Sequence, residues 1–218
     1  MKIEVFSDVA CPWCYVGDGR LERALLERPE VQVERKWRPF QLQPGMPKGT
    51  KWAEFSQQKF GGAANRQAAF ERVVEAGSSE GIAFDFENMP FAPNTEDAHR
   101  LILWAERQNL GTQNLGTQMS TRLFKAYFSE AQNVMDLETL SDLAVEVGLE
   151  RESTLEFLKG QELRAEVSQS QGQAAQLGVS GVPFYVFGEK YALSGAQPLE
   201  VFLQAIDRVW AEEARAVG

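Results

Sequence analysis

The chain has 218 residues, of which 44% are hydrophobic and 24% charged, and it carries a formal net charge of −9. This composition is typical of a globular protein with a substantial core, and the charge argues against nucleic acid or an anionic membrane as a partner. The sequence contains neither a secretory signal nor an apolar stretch long enough to span a bilayer. We therefore predict a cytoplasmic protein, although a mature chain trimmed of its signal would look the same.

The first predicted elements surround the only two cysteines, Cys11 and Cys14, which lie in a Cys-Pro-Trp-Cys tetrapeptide. Residues 3–9 are rich in β-branched and aromatic side chains and predict a strand, and the apolar pattern that follows predicts a helix ending at 28–29. Because residues three apart share one helix face, Cys11 would lie at the helix N-terminus and Cys14 one turn inside. The positive end of the helix dipole would stabilise a thiolate at Cys11, and Pro12 suits the first helical position.

The next elements are a half-buried strand over 31–37, where apolar and polar residues alternate, and a loop rich in Pro and Gly over 39–49. From about 50 to 161 the pattern is mainly helical. Asn94 or Thr95 can cap one of these helices. A further helix starts at Asp136, and the pentapeptide 108–112 is repeated at once as 113–117, which we interpret as a duplicated linker.

Strand character returns only near the C-terminus. Residues 184–187 and 191–193 flank a Gly-Glu-Lys turn and predict a β-hairpin. Pro198 then starts a last amphipathic helix. This order predicts an α/β domain, formed by 1–48 and 162–218, that is interrupted by a helical insertion over 49–161.

Several motifs along the chain resemble those of the DsbA family of thioredoxin-fold proteins, and in particular of its FrnE-like branch. The resemblance covers nearly the whole chain in order. It rests on Phe6-Ser7-Asp8, the Cys-Pro-Trp-Cys tetrapeptide, Asn94-Thr95 with Ala98-His99-Arg100-Leu101, Gly181-Val182-Pro183, and Ser194-Gly195-Ala196-Gln197. It implies a thioredoxin fold with a large all-helical insertion.

The resemblance also implies roles for the central residues. Cys11 would be the attacking thiol and Cys14 the resolving thiol, and Val182-Pro183 would form a cis-proline loop that faces them. The backbone of Val182 would then pair with an extended peptide substrate. The side chains of Trp13 and Phe184 would add apolar contact area.

Four polar residues have two interpretations each. Many thioredoxin-fold enzymes bury an acid at the position of Val5, which Glu4 and Asp8 flank but do not occupy. Asp8 is the better candidate proton relay, because Ser7-Asp8 also occurs in the FrnE-like branch, and the alternative is a loop-capping or hydrogen-bonding Asp. His99 is either a satisfied surface or inter-helix histidine or a catalytic one. Asn94 and Thr95 are either helix caps or ligand contacts.

We therefore predict a thiol–disulfide oxidoreductase that reduces, forms or isomerises disulfides in protein or peptide substrates, with glutathione as a candidate reductant. We predict no metal, because one CxxC and one histidine cannot supply four Cys/His ligands, and no cofactor beyond the cysteine pair. The alternatives are a glutathione-dependent isomerase or transferase, of the 2-hydroxychromene-2-carboxylate isomerase or kappa-class type, and a binding module with an inert disulfide. The sequence leaves open the direction of the reaction and whether the protein is a monomer or a homodimer.

Overall fold

The computed structural model describes residues 1–108 and 114–217. A four-stranded sheet with the order β2-β1-β3-β4 contains β1 (Lys2–Ser7), β2 (Glu34–Pro39), β3 (Phe184–Phe187) and β4 (Tyr191–Ser194). The helices of the described residues are α1 (Pro12–Leu26), α2 (Trp52–Phe60), α3 (Ala63–Ser78), α4 (Glu96–Arg107), α5 (Leu115–Phe128), α6 (Leu137–Glu146), α7 (Arg151–Lys159), α8 (Arg164–Gln176) and α9 (Leu199–Val217).

The sheet combines parallel and antiparallel pairs. Strand β1 pairs in parallel with β2, as the crossover through α1 requires, and antiparallel with β3. The predicted hairpin is present, since β3 pairs antiparallel with β4. Helices α2 to α7 lie between β2 and α8 in the chain, so the helical segment interrupts an α/β unit as the sequence predicts. The division into 1–48 with 162–218 and 49–161 stays a prediction.

Both N-terminal strands differ from their predicted bounds for local reasons. Strand β1 ends at Ser7 rather than at residue 9, because Cys11 N donates to Asp8 O at 2.9 Å and closes a turn. Strand β2 begins at Glu34 rather than at residue 31, because Val31 N is engaged in a turn with Arg28 O at 3.0 Å. The strand that carries the active-site turn is therefore shorter than its apolar run.

Helix α8 is not predicted by the apolar pattern. Its buried residues are Val167, Ser170 and Ala174, a face too small and polar to stand out in the sequence. The described residues from Leu115 onwards contradict the linker interpretation of the second pentapeptide, because α5 begins there, whereas 109–113 lie outside the described residues. Pro198 directly precedes α9 rather than starting it.

The two larger of the three apolar cores among the described residues hold the sheet between helices. One core packs Ile3 and Val5 of β1 against Leu21 of α1 and Phe202 of α9. The other is formed mainly by the inserted helices and includes Cys14. Helix α1 therefore contributes to both cores, which fixes its N-terminus between the sheet and the insertion. Within the described residues, none of the helices combines the length and apolar character needed to cross a bilayer.

Candidate active site

The two cysteines lie at the start of α1. Cys11 is the residue immediately before the first helical residue, Pro12, and its carbonyl accepts from Cys14 N at 3.0 Å and from Tyr15 N at 3.3 Å. The first turn of a helix presents backbone N–H groups without intrahelical partners and a positive dipole end. No side chain caps this terminus. Cys11 therefore lies at the positive end of the α1 dipole.

The two sulfurs differ in their surroundings. Both cysteines are free thiols, with Cys11 5% and Cys14 1% exposed. Burial raises the pKa of the Cys14 thiol well above its ordinary value, and the hydrogen bond and charge of Cys11 raise it further, while Ser7 and the backbone of Asp8 oppose the rise. Cys14 is consequently held as a protonated thiol behind Cys11.

The C-terminal segment reaches the same place from the far end of the chain. The Val182–Pro183 peptide bond is cis, and Cys11 Sγ donates to Val182 O at 3.6 Å. The ring of Phe184, the next residue, packs edge-on against Phe6 with 6.2 Å between the ring centroids. The structure thus brings Cys11, Val182 and Pro183 together and leaves the contact between Phe184 and a substrate as a prediction.

An apolar cavity of about 230 Å³ opens beside Cys11. Trp13, which is 38% exposed, lies at this cavity together with Cys11. Lys59 is the one charged side chain among the described residues that line it. The other aromatic side chains of the wall come from α2, α3, α5 and the loop after α3, and they are Trp52, Phe55, Phe60, Phe70, Phe86 and Tyr127.

The aromatic wall of the cavity is braced by mutual stacking. The rings of Phe70 and Phe86 are stacked with 4.3 Å between their centroids, and Trp52 stacks on Phe70 at 6.0 Å. The indole of Trp52 also donates to Phe86 O at 2.8 Å. These contacts fix the wall before a ligand enters, so the cavity is largely preformed.

Asp8 is buried and links the active-site turn to the cavity. Its carboxylate accepts from Ala10 N at 3.3 Å, in the turn before Cys11, and from Leu42 N at 2.7 Å, in the loop that forms part of the cavity wall. These bonds support the loop-capping interpretation of Asp8. Its role as a proton relay stays a prediction.

His99 is completely buried, which rules out the surface alternative for this residue. Its Nδ1 accepts from Trp37 Nε1 at 3.1 Å, so in a neutral imidazole the proton lies on Nε2. His99 Nε2 is 3.3 Å from Asp8 Oδ1, although without the angle of a hydrogen bond. Sequence reasoning missed this Asp8–His99–Trp37 cluster, since its members come from three separate segments.

Two of the neighbouring motif residues, Asn94 and Arg100, make structural contacts. Asn94 Oδ1 accepts from Glu96 N at 3.1 Å, and Asn94 Nδ2 donates to Met46 O at 3.2 Å, so Asn94 caps α4. Thr95 occupies the N-cap position without a capping bond from its side chain. Neither residue lines the cavity. Arg100 is fully buried and donates to four backbone carbonyls between 157 and 162.

A second buried polar cluster lies deeper along α1. The carboxylate of Asp18 forms an ion pair with Arg35 and accepts from Thr121 Oγ1 at 2.8 Å. Asp18 is four residues after Cys14 and therefore lies below it on the same helix face. A charged residue on the buried face of an amphipathic helix is the sequence signal that could have revealed this cluster. Within the described part of the chain, no group of three or more Cys, His, Asp or Glu residues could hold a metal ion.

Comparison with known proteins agrees with this geometry. The family model of the DSBA-like thioredoxin domain matches residues 2–207. The chain is 34% identical to the crystal structure of a probable DsbA oxidoreductase, SCO1869 of Streptomyces coelicolor, with a TM-score of 0.86 over 97% of this chain and 91% of that one. The YwbO protein of Bacillus subtilis (strain 168) is 29% identical over 209 residues, which are 94% of this chain and 96% of YwbO.

A more distant structural match is an enzyme with different chemistry. The structure of a 2-hydroxychromene-2-carboxylate isomerase matches with a TM-score of 0.69 over 99% of both chains, at 15% identity. At that identity the likeness shows the fold alone. Together these matches confirm the thioredoxin fold with a helical insertion.

Proposed function

Because the chain belongs to the family of DSBA-like thioredoxin domains, we propose that it is a thiol–disulfide oxidoreductase in which Cys11 and Cys14 exchange disulfides with protein substrates. The Cys11 thiolate attacks a substrate disulfide, forms a mixed disulfide and releases one substrate thiol. Cys14 then attacks Cys11 Sγ, which closes the Cys11–Cys14 disulfide and releases the second thiol. In reverse, the same steps oxidise a substrate dithiol.

One observation carries this proposal: Cys11 Sγ lies at the N-terminus of α1, 3.6 Å from Val182 O, and lines an open apolar cavity. A partner can therefore reach Cys11, although Cys11 is only 5% exposed. The raised pKa of Cys14 supports the order of attack, because a protonated thiol does not compete with Cys11 for the substrate.

The substrate we propose is an extended peptide segment with an apolar side chain beside its cysteine. The backbone of Val182, next to Pro183, pairs with the segment. The apolar side chain enters the cavity of about 230 Å³, where Trp13 covers it. Phe184 would contact residues further along the segment.

The reaction cycle also needs a group that transfers protons and a source of electrons for the cysteine pair. Asp8, which is tied to the active-site turn, is the proposed proton relay for Cys14. The redox centre is the cysteine pair itself, with no dissociable cofactor, and glutathione is the proposed reductant. The direction in the cell depends on the surrounding thiol pool. A cytoplasmic location, membership of the FrnE-like branch and the choice between monomer and homodimer stay predictions.

The alternative is a glutathione-dependent isomerase or transferase with the same fold. The family resemblance implies that relatives with that chemistry usually carry serine or another residue without redox activity at the position of Cys11. The presence of both Cys11 and Cys14 favours disulfide exchange. A binding module with an inert disulfide is the third candidate, and the open cavity at Cys11 argues against it.

Reduction of insulin and of glutathione disulfide by the wild type, Cys11→Ser and Cys14→Ser tests the proposal. We expect Cys11→Ser to lose all activity, because it removes the attacking sulfur. Cys14→Ser should instead accumulate mixed disulfides. Full activity in Cys11→Ser would refute the redox cycle, and isomerase activity independent of both cysteines would support the alternative.

A further inference from the structure

Tyr185 on β3 carries a buried hydroxyl that nothing in the reaction scheme uses. The residue is completely buried and pairs with Val5 of the neighbouring strand. Its ring packs edge-on against Phe202, with 5.0 Å between the centroids. Among the described residues, the hydroxyl of Tyr185 has no hydrogen-bond partner.

The hydroxyl lies directly against the active-site helix. A Cβ atom added to Gly17 of α1 would overlap the oxygen of Tyr185, so only glycine leaves room for a phenol here. Glycine inside a helix is less stabilising than alanine, so Gly17 lowers the stability of α1 in order to make room for the phenol. Gly17 follows Cys14 by three residues on the same helix face, which places the phenol oxygen one turn below Cys14.

The buried hydroxyl of Tyr185 destabilises the fold unless it forms a hydrogen bond. A buried hydroxyl without a partner lowers stability, whereas phenylalanine would fill the same space without that loss. The carboxylate of Asp18, whose charge acts on Tyr185, forms its hydrogen bonds with Arg35 and Thr121 and none with the phenol. The sulfur of Cys14 is the group on this helix face that gains negative charge during the reaction.

The electrostatics keep the phenol in its donor form. Burial raises the pKa of Tyr185 well above its ordinary value, and negative charge at Cys14 raises it further. Tyr185 therefore retains its proton when Cys14 is ionised. In the structure both thiols are free and the phenol bonds to neither of them.

We propose that the Tyr185 hydroxyl donates to the thiolate of Cys14 while that thiolate attacks the mixed disulfide. The inference rests on the proposed function. In this step the Cys11–Cys14 bond forms and the bond from Cys11 to the substrate sulfur breaks. The substrate sulfur leaves with the electron pair and takes up the proton that Cys14 released, whereas Tyr185 keeps its own.

A single-turnover reaction of the reduced protein with a bis(nitrobenzoate) disulfide separates the two steps. Attack by Cys11 releases the first coloured thiolate, and resolution by Cys14 releases the second. We expect Tyr185→Phe to leave the first release unchanged and to slow the second about tenfold, the effect of losing one hydrogen bond to a charged group. The matched control is Tyr191 on β4, whose hydroxyl donates to Glu212 of α9, and Tyr191→Phe should leave both rates unchanged.

The outcomes separate the two proposals. A second release at the wild-type rate in Tyr185→Phe, or equal slowing of both releases, would overturn the role of Tyr185 and leave the cysteine cycle intact. Two releases from Cys11→Ser would instead overturn the proposed function. An unfolding curve of Tyr185→Phe at least as stable as the wild type would show that the slower step is not a folding defect.

Discussion

The sulfur of Cys11 lies 3.6 Å from the carbonyl oxygen of Val182, although 171 positions separate these residues in the chain. The contact depends on the sheet, because β3 follows Val182 and pairs with β1, which precedes Cys11. The attacking sulfur and the proposed peptide-binding backbone are therefore assembled only when the C-terminal hairpin docks on β1. The inserted helices complete the site by adding the apolar cavity.

The cavity should select apolar substrates. Ala69 on α3 lines it, and Ala69→Glu would place a carboxylate among aromatic rings. We expect kcat/KM for a disulfide peptide with an aromatic residue beside its cysteine to fall about tenfold, and the rate with a small polar disulfide to change little. Ala64→Glu, on the exposed part of the same helix, is the control. Equal losses with both substrates would contradict selection by the cavity.

The buried guanidinium of Arg100 should be essential for stability. It donates to four backbone carbonyls around the C-terminus of α7 and to Asp97 Oδ1 at 2.7 Å. Arg100→Met would leave those carbonyls and the Asp97 carboxylate without their partner, so we expect the free energy of unfolding to fall by about 3–5 kcal/mol. Chemical denaturation measures this.

A surface arginine provides the comparison. Arg151 forms ion pairs with Glu138 and Asp142 on the exposed side of α6 and α7. Because water screens these pairs, Arg151→Met should leave the denaturation midpoint nearly unchanged. Similar midpoints for the Arg100 and Arg151 variants would contradict the structural role of Arg100.

Glu106 should make the stability depend on pH near neutrality. Its carboxylate accepts from Trp37 N at 2.7 Å. Burial raises the pKa of Glu106 from 4.5 to about 7, although the bond from Trp37 and the charges of Lys36 and Arg38 lower it. Between these values the folded chain binds a proton that the unfolded chain has released, so the free energy of unfolding falls as pH rises.

Substitution by glutamine isolates this effect. Glu106→Gln keeps an acceptor for Trp37 N but cannot ionise. Between about pH 5 and pH 8, we expect the wild type to lose about 2–3 kcal/mol of unfolding free energy relative to Glu106→Gln. Denaturation curves across this range measure the difference. Parallel profiles for the two proteins would show that Glu106 does not titrate in the folded state as proposed.

The sequence was sufficient where the structure depends on local patterns. Pro12 starts α1 with Cys11 before it, Asp136 caps α6 by accepting from Thr139 N, and the C-terminal hairpin lies where turn residues interrupt two apolar runs. In each case neighbouring residues determine the backbone conformation. The two cysteines could be placed at a helix N-terminus for the same reason.

The features that the sequence did not predict depend on distant contacts. The contacts of His99 with Asp8 and Trp37 join three segments of the chain, and no local sequence pattern predicts such contacts. The same holds for Tyr185 and Gly17, which look like an ordinary strand residue and an ordinary helical glycine until the sheet forms. Helix α8 was missed because its buried face is small and partly polar.

The most direct test of the account is the intact mass of Cys14→Ser and Cys11→Ser after brief reaction with a peptide disulfide. We predict one peptide adduct on Cys14→Ser, attached to Cys11, and none on Cys11→Ser within the same time, because Cys14 is buried and protonated. An adduct that forms on Cys14 as fast as on Cys11 would contradict the assignment of Cys11 as the attacking sulfur.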